Sequence, residues 1–392
     1  MKGSQAALAL VGFAFALAAS GCGAAGSAQQ RAEVKIEPVA EAVPVTGPVL
    51  HGNSVVWGTG SIEGGEPVEP IRIFGARPGG SPRLLHELPM ARNRPESLGG
   101  LAGSPDAVAF DRGWDICFPP DYGSCSQSGA DVRVGAKNRR FHMLEPAGQN
   151  CAAWGPDVDG TRVAFVESCP GPCPCVQLGI DDVADAKPPQ ILFRSWDFEQ
   201  VRLGGNYVAG STWEEIFVHD LETGRKIAYR PPLVPLRIGP QAREIGDRFQ
   251  FDIQADGKAV AVWGFGEKTK TAWFSPEEPD AHALPLRPFF DSNSPAIAIR
   301  LAGDRIAFER KFGHGKSELV VADLGGKIER VASFDRTNPR VGGFDFDGKR
   351  LTWASQDVVE VTEKCSGPPE DPRRDCWPRP VGPTTIYLAW LG

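Results

Sequence analysis

The fifteen residues from Trp154 to Ser168, which read WGPDVDGTRVAFVES, guide the interpretation of the whole chain. An aromatic-led segment ends at Pro156-Asp157. The pair Asp159-Gly160 follows, and its glycine can adopt the positive φ that a tight hairpin turn requires. Next comes the apolar run Val163–Val166, which is too short for a helix and directly follows a turn. The stretch therefore predicts two short strands joined by a hairpin.

Weaker copies of this turn-strand unit recur along the chain. The central residues of the apolar strands are spaced 45 to 55 residues apart, and each strand follows a turn that contains Gly or Asp. A repeat of roughly 40 to 50 residues that holds about four short strands is typical of one blade of a β-propeller. The seven copies are Val55–Trp57, Val108–Phe110, Val163–Phe165, Val208–Gly210, Val260–Val262, Ile306–Phe308 and Leu351–Trp353.

The repeats predict an all-β fold, a seven-bladed β-propeller with four antiparallel strands in each blade. Apolar residues in the repeated strands are consecutive, as expected for sheets that are covered on both faces. Two β-sandwiches are the alternative, but sandwiches do not impose one turn-strand unit at nearly constant spacing. The seventh repeat lacks a fourth strand. We expect the alternating segment Glu33–Val39 to supply this strand and close the ring.

Three copies of the repeat resemble the WD40-like repeat of TolB-type propellers. The resemblance covers most of the chain and implies six to eight blades, commonly in an exported binding scaffold, without implying a reaction. The first, second and fourth copies lack the Asp-Gly turn, so six and eight blades stay open as alternatives to seven. The three copies are WGPDVDGTRVAFVES (154–168), FDIQADGKAVAVWG (251–264) and FDFDGKRLTWAS (344–355).

The first 22 residues have the features of an export signal. Lys2 supplies the positive charge, Ala6–Ala19 is apolar, and the segment ends in Ala19-Ser20-Gly21-Cys22. This ending resembles a bacterial lipobox, which implies that Cys22 becomes the lipid-bearing N-terminus; cleavage near Ala25 is the alternative. We expect residues 1–22 to be a lipoprotein signal peptide, 23–32 a flexible tether and 33–392 the propeller domain. The protein would then be lipid-anchored in the cell envelope, in the periplasm or on the outer surface.

Composition limits the classes of partner. The formal net charge is −7, so the chain has no overall basic character and nucleic acid is not expected as a partner. The 46 glycines and 35 prolines accompany a normal hydrophobic content of 41%. That combination indicates a turn-rich β domain instead of a disordered chain.

Eight of the nine cysteines follow Cys22, and an even number in an exported chain predicts disulfide bonds. Two pairs each close a short loop, so we predict the bonds Cys117–Cys125 and Cys365–Cys376. The other four cysteines allow three pairings, and the sequence does not choose among them. A metal site is the alternative for this group, but no histidine is near and the compartment is oxidising. The four are Cys151, Cys169, Cys173 and Cys175.

The longest insertions fall between the second and third strands of four repeats that are consecutive around the ring. These connections leave the same face of a propeller, so they should form one arc of disulfide-braced loops. Such an arc is where we expect binding of a protein or cell-envelope polymer. The insertions are Ser61–Pro70, Gly113–Ala130, Ser168–Pro174 and Gln356–Pro383. Their aromatic and arginine residues, the types that dominate such contacts, are Trp114, Phe118, Tyr122, Arg373, Arg374 and Trp377.

The sequence contains no recognisable catalytic motif. Gly-x-Ser-x-Gly, His-Glu-x-x-His and the phosphate-binding Gly-x-x-x-x-Gly-Lys-Ser/Thr are all absent. The segments Asp157–Gly160 and Asp345–Gly348 could suggest calcium, but both lack a later glutamate ligand and coincide with turns. We therefore predict no catalytic residue, cofactor or metal, and favour a binding protein. A secreted hydrolase or lyase with its site in the central channel, and a purely structural envelope component, are the alternatives.

Overall fold

The structure is a computed structural model of the 392-residue chain. It describes residues 34–42, 46–60, 62–63, 66–67, 70–88, 96–117, 125–136, 141–144, 152–169, 176–185, 189–195, 198, 200–212, 214–232, 249–264, 269–286, 299–312, 316–334, 343–356, 360–365, 376–381 and 384–391. Only the backbone is described at 62–63, 66–67, 96–97, 114–117, 125–131, 136, 142, 311–312, 316, 356, 360–365 and 376–381.

The described residues form β-strands and turns, without a helix. The first sixteen strands are β1 (Lys35–Ala42), β2 (Thr46–His51), β3 (Ser54–Thr59), β4 (Ile62–Glu63), β5 (Glu66–Pro67), β6 (Ile71–Ala76), β7 (Arg83–Leu88), β8 (Glu96–Gly103), β9 (Ala107–Cys117), β10 (Cys125–Ala136), β11 (His142–Met143), β12 (Ala152–Asp159), β13 (Arg162–Ser168), β14 (Val176–Asp182), β15 (Gln190–Ser195) and β16 (Gln200–Gly204). The other sixteen are β17 (Tyr207–Ser211), β18 (Ile216–Asp220), β19 (Lys226–Tyr229), β20 (Gln250–Ile253), β21 (Ala259–Trp263), β22 (Lys270–Phe274), β23 (His282–Leu284), β24 (Ile299–Ala302), β25 (Arg305–Phe312), β26 (Lys316–Asp323), β27 (Ile328–Phe334), β28 (Phe344–Phe346), β29 (Arg350–Gln356), β30 (Glu360–Cys365), β31 (Cys376–Val381) and β32 (Thr384–Trp390).

Twenty-eight strands form seven antiparallel sheets of four, which are the blades. From the inner strand A to the outer strand D, blade 1 is β2-β3-β6-β7, blade 2 is β8 to β11, blade 3 is β12 to β15 and blade 4 is β16 to β19. Blade 5 is β20 to β23, blade 6 is β24 to β27 and blade 7 is β28-β29-β32-β1. Each A strand contacts the A strand of the next blade, and β28 contacts β2. The chain is a seven-bladed β-propeller, as the repeats predict.

The N-terminal strand closes the ring, as predicted. Strand β1 pairs antiparallel with β32, from Lys35 opposite Trp390 to Ala42 opposite Thr384. It is therefore the outer strand of a blade whose other three strands come from the C-terminal part of the chain. Val39 of β1 is buried in the core that blade 7 shares with blade 1. Closure thus combines strand pairing with packing against the first blade.

The hydrophobic core consists of seven clusters, each built from two neighbouring blades. Strand β13 shows how one sequence serves two of them. Val163 and Phe165 pack toward blade 2, whereas Ala164 and Val166 pack toward blade 4. This explains why apolar residues are consecutive in the repeated strand: both faces of every blade are covered.

Strand β12 runs further than the sequence indicated. It continues through Pro156 and Asp157 to Asp159, and its register against β13 shifts between Trp154 and Asp157. Proline cannot donate a main-chain hydrogen bond, so it is tolerated at such an irregularity of the strand pairing. The prediction that the strand ends at Pro-Asp was therefore wrong by two residues, and Asp157 lies within the A strand.

Candidate functional site

The extended B–C connections lie in blades 7, 1 and 2, which are consecutive around the ring. The prediction that blade 3 belongs with them was wrong, because seven residues separate its B and C strands, against six in blade 5. Blades 7 and 1 carry extra hairpins, β30-β31 and β4-β5, between their B and C strands. In blade 2, strands β9 and β10 stay paired as far as Cys117 opposite Cys125. Strands alternate in direction, so all B–C connections leave the end of the ring opposite to the A–B turns. We call this end the B–C face.

Two of these connections differ from the loops that the sequence predicted. The insertion Gly113–Ala130 is largely a continuation of the B and C strands, because Gly113 pairs with Ala130 and the ladder then extends outward. The insertion Gln356–Pro383 contains a hairpin of its own, formed by β30 and β31. Paired backbone holds an insertion more rigidly than an open loop does.

The strand register supports the two predicted local disulfides. Cys117 lies directly opposite Cys125 at the end of the β9-β10 ladder, and Cys365 lies directly opposite Cys376 in β30-β31. Opposed residues of antiparallel strands have Cα atoms about 4.5 to 5.5 Å apart, which is within the range for a disulfide. The backbone therefore brings each pair to bonding distance.

The other predicted cysteines are described only at Cys169. This residue follows β13, is disulfide-bonded, and its Sγ accepts a hydrogen bond of 3.2 Å from Gln177 Nε2. The proposed lipid-bearing residue and the remaining members of the second cysteine group lie outside the described residues: Cys22, Cys151, Cys173 and Cys175.

The predicted partner-binding residues are divided between described and undescribed parts of the chain. Trp114 is in β9 opposite Gly129, and Trp377 is in β31 opposite Lys364, so both are on hairpins of the B–C face. Trp377 immediately follows Cys376, and Trp114 is three residues before Cys117. The other four, Phe118, Tyr122, Arg373 and Arg374, lie outside the described residues.

The structure also brings together a set of charged residues that the sequence pattern did not single out. Five consecutive A strands, in blades 3 to 7, place an acidic or basic side chain at the channel wall, and the charges alternate in sign. Blades 1 and 2 have Val49 and Ala102 at the corresponding positions. We call this set the channel ring: Asp157, Arg202, Asp252, Arg300 and Asp345.

The aspartates of the channel ring connect neighbouring blades. The Leu203 backbone N–H donates to Asp157 Oδ2 at 2.7 Å, from blade 4 to blade 3. Equivalent bonds reach Asp252 Oδ2 from the Leu301 N–H, at 2.7 Å, and Asp345 Oδ2 from the Leu50 N–H, at 2.8 Å. Each carboxylate thereby fixes the A strand of the next blade against its own.

Ion pairs link the same residues around the channel. Asp252 Oδ1 lies 3.9 Å from Arg202 Nε and 3.7 Å from Arg300 NH1, while Arg300 Nε lies 3.1 Å from Asp345 Oδ1. These side chains are 8 to 15% exposed. Burial raises the pKa of Asp252 to about 6, although Arg300, Arg202 and the Leu301 N–H lower it in part.

The pKa values of the other two aspartates of the channel ring are also raised. Burial raises the pKa of Asp157 above its ordinary value, and Arg202 and Arg300 offset only part of that effect. Burial also raises the pKa of Asp345, opposed chiefly by Arg300. Repulsion from Asp345 in blade 7 is a minor further cause of the raised pKa of Asp157.

A cavity of about 550 Å³ opens at the A–B end of the channel. Residues of blades 2 to 7 line it, including Val158, Leu203, Ile253 and Leu301, each of which directly follows a member of the channel ring. The charged ring therefore lies one residue beneath the lining of this mouth, a step of about 3.3 Å along a strand.

A sequence signal for the channel ring exists in retrospect. In five repeats a charged residue and then an apolar residue stand just before the A–B turn. The apolar member packs on the preceding blade and the charged member faces the channel and the following blade. The pairs are Asp157-Val158, Arg202-Leu203, Asp252-Ile253, Arg300-Leu301 and Asp345-Phe346.

The fold has counterparts among solved structures. The β-propeller domain of the Trilobed protease from Pyrococcus furiosus matches with a TM-score of 0.51 and 10% identity, over 85% of this chain and 96% of that one. The likeness shows the fold alone. That domain is described as having an open velcro topology, whereas β1 closes the ring here.

Two further matches have lower TM-scores. An acylaminoacyl peptidase from Pyrococcus horikoshii gives 0.49 at 11% identity over 80% of this chain, which spans only 49% of the peptidase. TolB from Acinetobacter baumannii gives 0.43 at 10% identity, over 86% of this chain and 80% of that one. No protein-family model matches the chain, and no curated protein matches it in sequence.

Two observations on the described residues bear on other classes of site. No helix there has the length and apolar character needed to cross a membrane. In the same part of the chain, no group of three or more His, Cys, Asp or Glu side chains is arranged to hold a metal ion.

Proposed function

We propose that the chain is an exported, lipid-anchored propeller that binds a protein or a cell-envelope polymer on its B–C face. The proposal rests on which blades have extended connections between their B and C strands. The consecutive blades 7, 1 and 2 carry extra hairpins or an extended ladder between their B and C strands, whereas seven residues or fewer separate these strands in blades 3 to 6. An arc of this kind gives a partner one continuous surface instead of scattered loops.

The architecture of this surface supports a binding role. The β9-β10 ladder and the β30-β31 hairpin both end at opposed cysteines, and each carries a tryptophan. Hairpins that are paired and cross-linked lose little conformational entropy when a partner binds. Tryptophan is among the residues that contribute most to binding energy at interfaces.

The channel ring favours this proposal over a hydrolase or lyase with its site in the channel. Each of the three ring aspartates accepts a backbone N–H from the neighbouring blade. A carboxylate committed to that bond is held in a structural position and has less freedom to transfer a proton to a substrate. Alternating charges joined between blades are also a means of holding the inner strands together.

The test removes the hairpins without disturbing the blades. Residues 114–129 are replaced by Asn-Gly, because Gly113 and Ala130 are paired and a two-residue turn can join them. Residues 357–383 are replaced likewise, between the paired Gln356 and Thr384. The control replaces 313–315 by Asn-Gly between the paired Phe312 and Lys316 in blade 6, on the same end of the ring.

Immobilised wild type and variants are incubated with envelope extract from the source cells, with and without protease treatment. We expect wild type and the blade 6 control to retain the same partner and the double-trimmed variant to lose it. Capture that survives protease treatment identifies a polymer, and capture abolished by it identifies a protein. Equal capture by all folded variants would refute a binding role for the B–C face.

A further inference from the structure

We propose that the central channel is a second binding site, in which Arg202 binds the carboxylate of a small ligand that also carries a hydroxyl or amino group. This site is separate from the B–C face and does not depend on it. The inference rests on a difference between the two arginines of the channel ring, and on unpaired polar atoms beside one of them.

The two arginines are equally buried but unequally paired. Arg202 and Arg300 are 9% and 7% exposed. Arg300 Nε lies 3.1 Å from Asp345 Oδ1, whereas the one carboxylate within ion-pair distance of Arg202 among the described residues is Asp252, at 3.9 Å. That distance is too long for a hydrogen bond. Arg202 NH1 donates to the Val201 carbonyl at 2.8 Å. The Nε of neither arginine meets the geometry of a hydrogen bond, so the two differ in their distance to the nearest carboxylate.

The pKa values of the two guanidinium groups are shifted in opposite directions, as their different distances to carboxylates would lead one to expect. Burial lowers the pKa of Arg202, and the attraction of Asp157 and Asp252 does not offset it. Burial also acts to lower the pKa of Arg300, but Asp345, Asp252 and Asp157 outweigh it, and that pKa is raised. A buried guanidinium with too little negative charge nearby is stabilised by a further carboxylate.

Two more buried polar atoms on the same face of blade 4 have no partner. Gln200 is two residues before Arg202 in β16, so the two side chains share a face, and Ser211 lies directly opposite Gln200 in β17. Gln200 Oε1 and Ser211 Oγ are both buried without a hydrogen bond. Arg202 reaches Asp252 of blade 5, so this face is turned toward blade 5 and the channel.

These three side chains define the chemistry of the ligand. Arg202 offers donors to a carboxylate, Gln200 offers an acceptor, and the Ser211 hydroxyl can act as either. A carboxylate next to a hydroxyl or amino group matches all three. The ligand would enter through the A–B mouth, whose lining residues Leu203 and Ile253 lie one step above Arg202 and Asp252. Sugar acids and amino acids both have this chemistry.

The experiment measures binding of two probes, D-glucuronate and L-alanine, to the intact mature protein by titration calorimetry, with glucose as a probe that lacks a carboxylate. We expect one of the two carboxylate probes to bind with a Kd below about 10 mM, and glucose not to bind. Binding by glucuronate alone indicates a sugar acid, and binding by alanine alone indicates an amino acid.

Variants assign the binding to the channel. Arg202→Gln should weaken the bound probe about tenfold or more, since it removes the charged donor. Ser211→Ala is a smaller change and serves as the second test in case Arg202→Gln does not fold. It should weaken binding of the probe about threefold or more. Arg225→Gln, which alters an exposed arginine in a C–D turn, serves as the control and should bind as wild type does.

Three results would overturn the proposal. One is that neither carboxylate probe binds wild type below about 10 mM. Another is that a folded Arg202→Gln or Ser211→Ala protein binds as tightly as wild type. The third is a crystal structure grown with the probe in which ordered water alone contacts Arg202 Nε, Gln200 Oε1 and Ser211 Oγ.

Discussion

Asp252 shows how one residue of a repeat can acquire a chemical property that its neighbours in sequence do not reveal. It follows the buried Phe251 in β20, and nothing in its neighbouring sequence distinguishes it from other aspartates in β-strands. In the ring it lies between Arg202 and Arg300 and is still ionised with difficulty, because burial outweighs both cations. Its protonation is therefore coupled to the stability of the propeller.

We expect Asp252→Asn to change how stability depends on pH. The pKa of Asp252 is about 6 in the folded protein, above its ordinary value of 3.8, so the folded state binds this proton more tightly than the unfolded state. Acidification from pH 7 toward pH 4 should therefore add up to about 3 kcal/mol of stability through this group. The asparagine variant should lack that gain.

Urea unfolding of wild type and Asp252→Asn between pH 4 and 7 measures the effect, because the other titrating groups are common to both proteins. Asp304→Asn, at an exposed carboxylate, is the matched control and should follow the wild-type profile. Parallel pH profiles for wild type and the Asp252 variant would contradict the prediction.

Gly205 is required by the next blade as well as by its own turn. It has a φ of +53°, and a Cβ there would lie 2.5 Å from the Ala255 carbonyl oxygen of blade 5. Gly205→Ala should therefore cost about 2 to 4 kcal/mol. Gly224→Ala is the control: its φ is +72° but no atom lies near, so only about 1 kcal/mol is expected.

The midpoint of urea unfolding reports this comparison directly. Equal losses for Gly205→Ala and Gly224→Ala would mean that the contact between blades 4 and 5 has no energetic importance, contrary to expectation. The pair separates steric contact between blades from the conformational cost of a left-handed backbone.

Cys22 carries the prediction of a lipid anchor. We expect Cys22→Ala to move the protein from the membrane fraction to the soluble fraction of the cell envelope, because acyl chains on this residue would provide the attachment. Fractionation followed by immunoblotting measures the distribution, and Ser20→Ala, which keeps the cysteine and a small residue, is the control. Membrane association that persists in Cys22→Ala would count against the anchor.

At the scale of single elements, the hairpins of the B–C face follow the same rules as the blades that carry them. Strands β9 and β10 extend their ladder beyond the blade, and β30 and β31 form a separate one. Both ladders end at opposed cysteines. We therefore expect the disulfide pairing to be determined within each hairpin, independently of contacts with the rest of the ring.

Non-reducing peptide mapping tests this pairing. We expect one cross-linked peptide containing Cys117 and Cys125 and another containing Cys365 and Cys376, because the register places each pair face to face. Reduction before digestion should release all four as separate peptides. A bond from any of these four to another cysteine would show that the register does not determine the pairing.

At the scale of the whole molecule, stability depends on joining the two ends of the chain. Deleting residues 33–42 removes β1, exposes the edge of β32 and uncovers the cluster that Val39 shares with blade 1. We expect a loss of at least about 3 kcal/mol, since burial of Val39 alone is worth roughly 1.5 to 3 kcal/mol and the strand pairing is lost as well.

Thermal unfolding by calorimetry measures this loss, and a variant that lacks only residues 23–32 is the control, since those residues precede the described propeller. The shorter deletion should unfold at the wild-type temperature. An unchanged melting temperature after removal of β1 would refute the role of this strand in ring closure.

The sequence predicted the architecture of the propeller but not the charged residues of its channel. Runs such as Val163–Val166 are local signals, because a strand buried on both faces needs consecutive apolar residues wherever it stands. The closing segment is also predicted by a local signal, because polar and apolar residues alternate in Glu33–Val39. The seventh repeat lacks a fourth strand, which this segment can supply. The sequence places Asp157 in a turn, because nothing within its own repeat indicates that Arg202 lies in the next blade.

The repeating blade, the preferred number of seven blades and the extended B–C connections of blades 7, 1 and 2 could be predicted from the order of residues alone. These features depend on spacing, turn residues and hydrophobic pattern, which act over a few neighbouring residues. The channel ring, in contrast, exists only in the folded molecule, since Asp157, Arg202, Asp252, Arg300 and Asp345 are about 45 to 50 residues apart in sequence. Their pairing, burial and raised or lowered pKa values arise from convergence on one axis, where the low dielectric surroundings make electrostatic interactions strong.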